Sequence, residues 1–163
     1  MNITLRNAVK TDIPDILSLI KELALYERAP LEVTITAQDL EQDGFGENPI
    51  FHAIMADADG AVAGMAFYYF SYSTWKGKCM YLEDIIVKEH LRGNNIGTIL
   101  FEKMIEIAQQ NKVKRLHWQV LDWNEPAINF YKKYDAVLDN TWVNGKLTDE
   151  QLQKMQLLTT NGS

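Results

Sequence analysis

Val87-Lys88-Glu89-His90-Leu91-Arg92-Gly93-Asn94-Asn95-Ile96-Gly97-Thr98 leaves an apolar strand, crosses glycines and polar residues, and opens an amphipathic helix. Such a junction exposes several backbone N–H groups at a helix N-terminus, an arrangement suited to an anion such as a pyrophosphate. The same residues also read as an ordinary strand-to-helix loop in which glycine makes the turn, and the spacing leaves both readings open. The stretch lacks Gly-Lys-Ser/Thr and Gly-x-Gly-x-x-Gly, so it is neither a Walker A loop nor a dinucleotide fingerprint.

Downstream, the helix is expected from Ile96 to about Gln109, with Ile96, Leu100, Met104, Ile107 and Ala108 on one side. A strand over 115–120, a helix over 125–134 and a last strand over 137–143 follow. Upstream, the spacing predicts strands over 50–56, 62–72 and 80–87, joined by Asp59-Gly60 and by Lys76-Gly77-Lys78. Before them lies a first strand over 2–8. A helix follows, N-capped by Thr11, carrying Asp12, Pro14 and Asp15 in its first turn and ending near Glu27. A shorter helix over 36–42 is expected to stop at Asp43-Gly44-Phe45-Gly46. The order β-α-α-β-β-β-α-β-α-β describes an antiparallel meander followed by β-α-β units, hence an α/β protein with a mixed sheet.

At 163 residues the chain has the size of one domain, expected to be structured over about 3–157 with a polar tail. Sixteen Lys and Arg against 22 Asp and Glu give a net charge of −6. That balance disfavours nucleic acid and favours cationic partners. Cys79 is the single cysteine, so neither an internal disulfide nor a thiolate metal site can form. His52, His90 and His117 are scattered without ligand spacing, and no metal is expected. The start of the chain does not read as a signal peptide, and the apolar stretch 61–70 contains Gly64 and is too short to span a bilayer. A cytoplasmic protein with no membrane partner is the expectation. The glycosylation triplet Asn161-Gly162-Ser163 carries no meaning in that compartment.

Arg92-x-x-x-x-Gly97, after a strand and before a helix, resembles the acetyl-CoA loop of the GNAT N-acetyltransferases. Their usual pattern is Gln/Arg-x-x-Gly-x-Gly/Ala. Asn95 stands where the middle glycine is expected, and Asn tolerates positive φ better than most residues. Further stretches are similar to the diamine (spermidine/spermine) and thialysine acetyltransferase branch. They are Ile20-Lys21-Glu22-Leu23-Ala24 with Tyr26-Glu27, Asp43-Gly44-Phe45-Gly46, Tyr68-Tyr69-Phe70, Tyr81-Leu82-Glu83-Asp84, and Trp123-Asn124-Glu125-Pro126-Ala127-Ile128-Asn129-Phe130-Tyr131. The resemblance runs from about residue 3 to 138 and implies a mostly antiparallel central sheet with helices on both faces.

It also implies roles. Ile85, Ile86 and Val87 would present strand backbone to the acetyl group and pantetheine arm. Arg92, Gly93, Asn94, Asn95, Ile96, Gly97 and Thr98 would hold the pyrophosphate of acetyl-CoA, with Asn124 and Ala127 flanking it. Tyr131 would donate a proton to the departing thiolate. Glu83 would meet the amine, and Tyr26, Glu27, His117, Trp118 and Gln119 match substrate-side positions. The chemistry needs such groups, since deprotonating an alkyl ammonium at pH 7 costs roughly 4.6 kcal/mol. A carboxylate can bind the cation and take its proton, directly or through water. Read without the resemblance, Tyr131 is a packed aromatic, Glu83-Asp84 a solvated strand end and Tyr68-Tyr69-Phe70 sheet core.

Two departures bear on substrate. Ser73-Thr74-Trp75-Lys76-Gly77 stands where polyamine acetylators carry Asp-Pro-Trp and is similar to the thialysine branch. The segment after Ala136 is short, and Asp135 replaces a usual glycine. The expected activity is therefore direct acetyl transfer from acetyl-CoA to a small primary amine. A thialysine- or lysine-like amino acid or a short diamine is preferred to spermine. Protein or peptide N-acetylation and a non-catalytic acyl-CoA-binding module are the alternatives; retention of both Glu83 and Tyr131 argues against the second. The resemblance further implies a homodimer.

Overall fold

A computed structural model describes residues 1–157 and Thr159. The triplet at 161–163 lies outside the described residues. The chain divides into two compact units, Met1–Gln119 and the residues from Val120 onward.

The first unit contains β1 (Ile3–Asn7), α1 (Ile13–Tyr26), α2 (Ala37–Phe45), β2 (His52–Ala58), β3 (Ala61–Ser73), β4 (Gly77–Val87), α3 (Ile96–Gln110) and β5 (Leu116–His117). The strands form one sheet in the order β1-β2-β3-β4-β5. Every pairing is antiparallel except β4–β5, which is parallel across the α3 crossover. The β2–β3 turn falls where Asp59-Gly60 predicts it. Both residues have positive φ, 50° and 86°, as a two-residue turn matching strand twist requires.

β2 and β3 each carry a run of four consecutive buried residues rather than an alternation, so the sheet is covered on both faces. On one face Ile13, Ile16 and Leu19 of α1 pack with Leu40 of α2 and with Phe51, Met55, Met65 and Ile86. α3 buries Ile96, Leu100, Phe101, Met104 and Ala108 against the sheet. Each such aliphatic side chain contributes roughly 1.5–3 kcal/mol. This is the α/β architecture expected from the element order.

Local details differ. Thr11 does not cap α1; Lys10–Asp12 form a 3-10 turn, and Asp12 is the N-cap residue. The Asp12 carboxylate accepts the Val9 N–H at 2.8 Å and two Arg6 bonds at 2.7 and 2.9 Å. Ion pairing to β1, rather than helix capping, decides its position. α2 does not stop at Asp43 but runs through Gly44 to Phe45. A Cβ at Gly44 would lie 2.1 Å from the Phe51 ring, so this glycine is a contact point between helix and core and not a helix stop. β5 holds two residues where a strand over 115–120 is expected.

The second unit contains α4 (Glu125–Lys132) and α5 (Asp149–Lys154). The expected strand over 137–143 is absent. There the Asp139 carboxylate accepts the Thr141 N–H at 2.9 Å and its hydroxyl at 2.7 Å, a local turn that competes with strand pairing.

Candidate functional site

β4 positions the centre of the site. Its ladder with β3 pairs Asp84 with Phe67 and Leu82 with Tyr68, so Glu83 is the extra residue of a β-bulge. Strand alternation alone would send Glu83 and Asp84 to opposite faces. The bulge breaks it. Asp84 lies opposite Phe67, whose ring stacks on Phe51 at 4.3 Å on the α1 face. Glu83 accepts a 3.2 Å hydrogen bond from the Tyr69 hydroxyl, two residues from Phe67 on β3.

Glu27, at the C-cap of α1, completes the acidic group. Burial raises its carboxyl above the usual range. Asp84 moves further: burial first, then the charges of Glu83 and Glu27, push it up to about 7. Two like-charged neighbours and partial desolvation favour its protonated form. The Tyr69 phenol is pushed up to about 12, first by burial and then by Glu83.

An aromatic wall extends from this group. Tyr69 stacks on Tyr81 with centroids 5.2 Å apart, and His117 meets Tyr81 edge-on at 4.8 Å. His117 Nε2 lies 3.2 Å from the Ser71 hydroxyl. Burial, followed by the charge of Arg115, lowers the His117 pKa. Trp118 does not join this wall; its ring packs edge-on against Phe101 of α3 at 5.4 Å. Gln119 is exposed. Ser73 is engaged in its own turn, accepting the N–H groups of Trp75 and Lys76 at 3.3 and 3.2 Å.

β5 pairs with β4 only at Met80 and Tyr81. On that side, among the described pairings, the backbone from Leu82 to Val87 has no strand neighbour, and Ile85, Ile86 and Val87 lie within it. After Val87 the chain makes a 3-10 turn over Glu89–Leu91 and then reaches Arg92. Gly93 and Asn95 take positive φ, 82° and 65°, before α3 begins at Ile96. The Asn95 side chain makes no cap, and its carbonyl accepts from Ile99 at 3.1 Å. The N–H groups of Ile96, Gly97 and Thr98 thus form a first turn open to an anion.

A Cβ at Gly97 would meet nothing closer than Val87 Cγ2 at 4.0 Å. Packing does not demand that glycine. Asn94 ties the loop through a 3.0 Å bond to the Leu91 carbonyl. Arg92 donates its Nε to the Val87 carbonyl at 3.1 Å and lies 4.8 Å from the Tyr26 ring centroid. The Glu89 N–H donates to Glu22 at 2.8 Å, a second tie between the loop and α1.

In the second unit, Asn124 is buried and caps α4, its side-chain oxygen accepting the Ala127 N–H at 3.3 Å. Tyr131 is buried, and its ring packs edge-on against Phe130 at 5.2 Å. Among the described residues no group of three or more His, Cys, Asp or Glu could hold a metal ion.

Tyr69, Tyr81 and Asp84 surround Glu83; the sequence reading places them in stretches that carry the resemblance but gives them no role, and it does not mention Ser71. Alternation along β3 and β4 from Glu83 finds the two tyrosines. Asp84 needs the bulge, which no local pattern announces.

The acetyltransferase (GNAT) family model matches residues 14–135. The chain is similar to thialysine N-epsilon-acetyltransferase of Bos taurus, at 42% identity over 142 residues, covering 82% of this chain and 84% of that one. It is 37% identical over 140 residues to spermidine/spermine N(1)-acetyltransferase-like protein 1 of Homo sapiens, covering 82% of this chain and 20% of the relative. Among solved structures, an integron cassette protein from the mobile metagenome of V. cholerae matches with a TM-score of 0.76 and 26% identity, over 94% of this chain and 97% of that one.

Proposed function

The chain belongs to the acetyltransferase (GNAT) family and is an N-acetyltransferase, and we propose that it transfers the acetyl group of acetyl-CoA directly to the primary amine of a small cationic substrate. A thialysine- or lysine-like amino acid, or a short diamine, is the substrate class. The observation that carries this reading is the acidic group on one face of β4, Glu83 and Asp84 with Glu27 nearby, beside a stretch of β4 backbone without a strand neighbour. An alkyl ammonium matches the first, and an acyl thioester carbonyl needing N–H donors matches the second.

GNAT acetyltransferases use acetyl-CoA as co-substrate. The open α3 turn with Gly97, Arg92, Gly93, Asn94 and Asn95 fits its pyrophosphate, and Ile85, Ile86 and Val87 would hold its arm. The family resemblance assigns Asn124 and Ala127 to acetyl-CoA as well. Bound acetyl-CoA supplies an activated thioester carbonyl. Glu83 holds the incoming ammonium and takes its proton at a carboxylate oxygen, directly or through water. Glu27 and Tyr26 close the cationic end, and His117 lines the wall. Tyr131 Oη holds the proton needed at the sulfur.

The family match over residues 14–135 supports a single catalytic domain. Val137 and Val143, 91% and 95% exposed, support a homodimer in which such side chains find cover. A single, buried, free cysteine supports a cytoplasmic location. No helix among the described residues is long and apolar enough to cross a membrane.

A thiol-release assay with acetyl-CoA against lysine, thialysine, short diamines, spermidine, spermine and peptides tests the reading. Turnover is expected with the first three. Tyr131→Phe should fold normally and lose roughly 10²–10⁴ in kcat, the range for a general acid. Release with no amine would overturn the function; preference for spermine would overturn the substrate class.

A further inference from the structure

The amine site has two ends of opposite character. Glu27, Glu83 and Asp84 gather at one. At the other, across Tyr69 and Tyr81, stand Ser71 and His117, with the exposed Arg115 close enough for its charge to act on His117.

His117 pairs with Tyr81 in the β4–β5 register, and Tyr81 precedes Glu83 by two residues. Two residues of strand rise and one inter-strand step place the His117 and Glu83 backbones on the order of 8 Å apart. Six bonds separate the side-chain nitrogen of a lysine-like amino acid from its carboxylate carbon, on the order of 7 Å when extended. The two ends of such a molecule match the two ends of the wall.

We propose that His117, oriented by Ser71, recognises the far end of the amine substrate and selects a carboxylate there over a second ammonium. Two clauses of chemistry support this, and both rest on the small-amine acetyltransferase reading above. First, the Ser71 hydroxyl lies 3.2 Å from His117 Nε2; we assign Ser71 as the donor of that bond, which puts the ring proton on Nδ1. Nδ1 has no partner among the described residues and is not a buried unsatisfied atom, so it is open to a ligand as a donor. Second, Arg115 makes the local field positive, which repels an ammonium and attracts a carboxylate. Ser71 is therefore a positioning residue, acting through His117.

The test compares three substrates of equal reach, L-lysine, 6-aminohexanoate and cadaverine, with the full chain and its variants Ser71→Ala and Ser71→Thr. Wild type is expected to favour both carboxylate-bearing amines over cadaverine in kcat/KM. Ser71→Ala should raise KM for those two about tenfold, the worth of one hydrogen bond to a charged group, with kcat kept and cadaverine changed less than twofold. Ser71→Thr, which keeps the hydroxyl on a strand, should restore the discrimination. Equal effects of Ser71→Ala on all three substrates, or a wild type that prefers cadaverine, would overturn the proposal while leaving the acetyltransferase reading intact. Absence of turnover with every amine would overturn both.

Discussion

Asp84 and its neighbour Glu83 differ by one place in the chain and by a large step in environment. Glu83 is exposed and takes a tyrosine hydroxyl. Asp84 is desolvated and faces two carboxylates, so its folded-state value, about 7, lies above its unfolded value of 3.8. The folded chain therefore holds a proton that the unfolded chain releases. Asp84 supports stability fully below its unfolded value and less as pH rises through about 7. Asp84→Asn should raise Tm at pH 8, and the gain should vanish toward pH 4. The same substitution should raise KM for a cationic amine about tenfold at pH 8, because one charged acceptor is gone. Thermal melts and initial rates across pH check both; identical melting of variant and wild type at every pH would sink the argument.

α1 carries ties at both of its ends. Its N-terminus is clamped by Arg6 of β1, which pairs with Asp12 at 2.7 Å and with Asp57 of β2 at 2.6 Å. The clamp joins two strands to a helix and holds Asp12 below the usual carboxylate range, first through the Arg6 hydrogen bonds. Its C-terminal half reaches the strand-to-helix loop before α3 through Glu22 to Glu89 and Tyr26 under Arg92. The helix that presents Glu27 thus also steadies the loop. Asp12→Asn should destabilise by about 1–3 kcal/mol at pH 7, the range for hydrogen bonds to a buried charge. Because the folded value is depressed, that contribution is present above the unfolded value and lost as pH falls through the folded one. Urea melts should show a constant gap between wild type and variant from pH 5 to 8, closing at lower pH. The exposed Lys10–Glu41 pair is the control, with Glu41→Gln changing stability by less than about 1 kcal/mol.

At the scale of the whole molecule, a ligand bound to the folded state alone stabilises it by mass action, about 2.7 kcal/mol at a hundredfold excess over Kd. For a chain of this size acetyl-CoA should then raise Tm by roughly 5–10 °C. Gly97→Asp is a sharp control. The site has room for a Cβ, and a carboxylate in the first turn of α3 favours the helix itself. The unliganded variant should melt no lower than wild type, yet lose the acetyl-CoA shift through repulsion of the pyrophosphate. An undiminished shift would place the cofactor elsewhere.

Local patterns decided much of this architecture. Helical periodicity located α1 and α3, Asp59-Gly60 located the β2–β3 turn, and the run from Val87 to Thr98 marked the strand-to-helix loop. Each is written within a few residues, where dihedral preference and apolar spacing act alone. The motif resemblance reached the acetyltransferase family for the same reason. Other features depend on neighbours distant in the chain. Gly44 reads as a helix stop until Phe51 is seen against it. Residues 137–143 read as a strand because apolar side chains recur there, but a strand exists only where a partner and register are supplied, and Asp139 turns the chain instead. The bulge at Glu83 belongs to the fit between β3 and β4. Only that fit brings Asp84 to the same face as Glu83, because alternation, the one rule a strand carries in its own sequence, points the two residues apart.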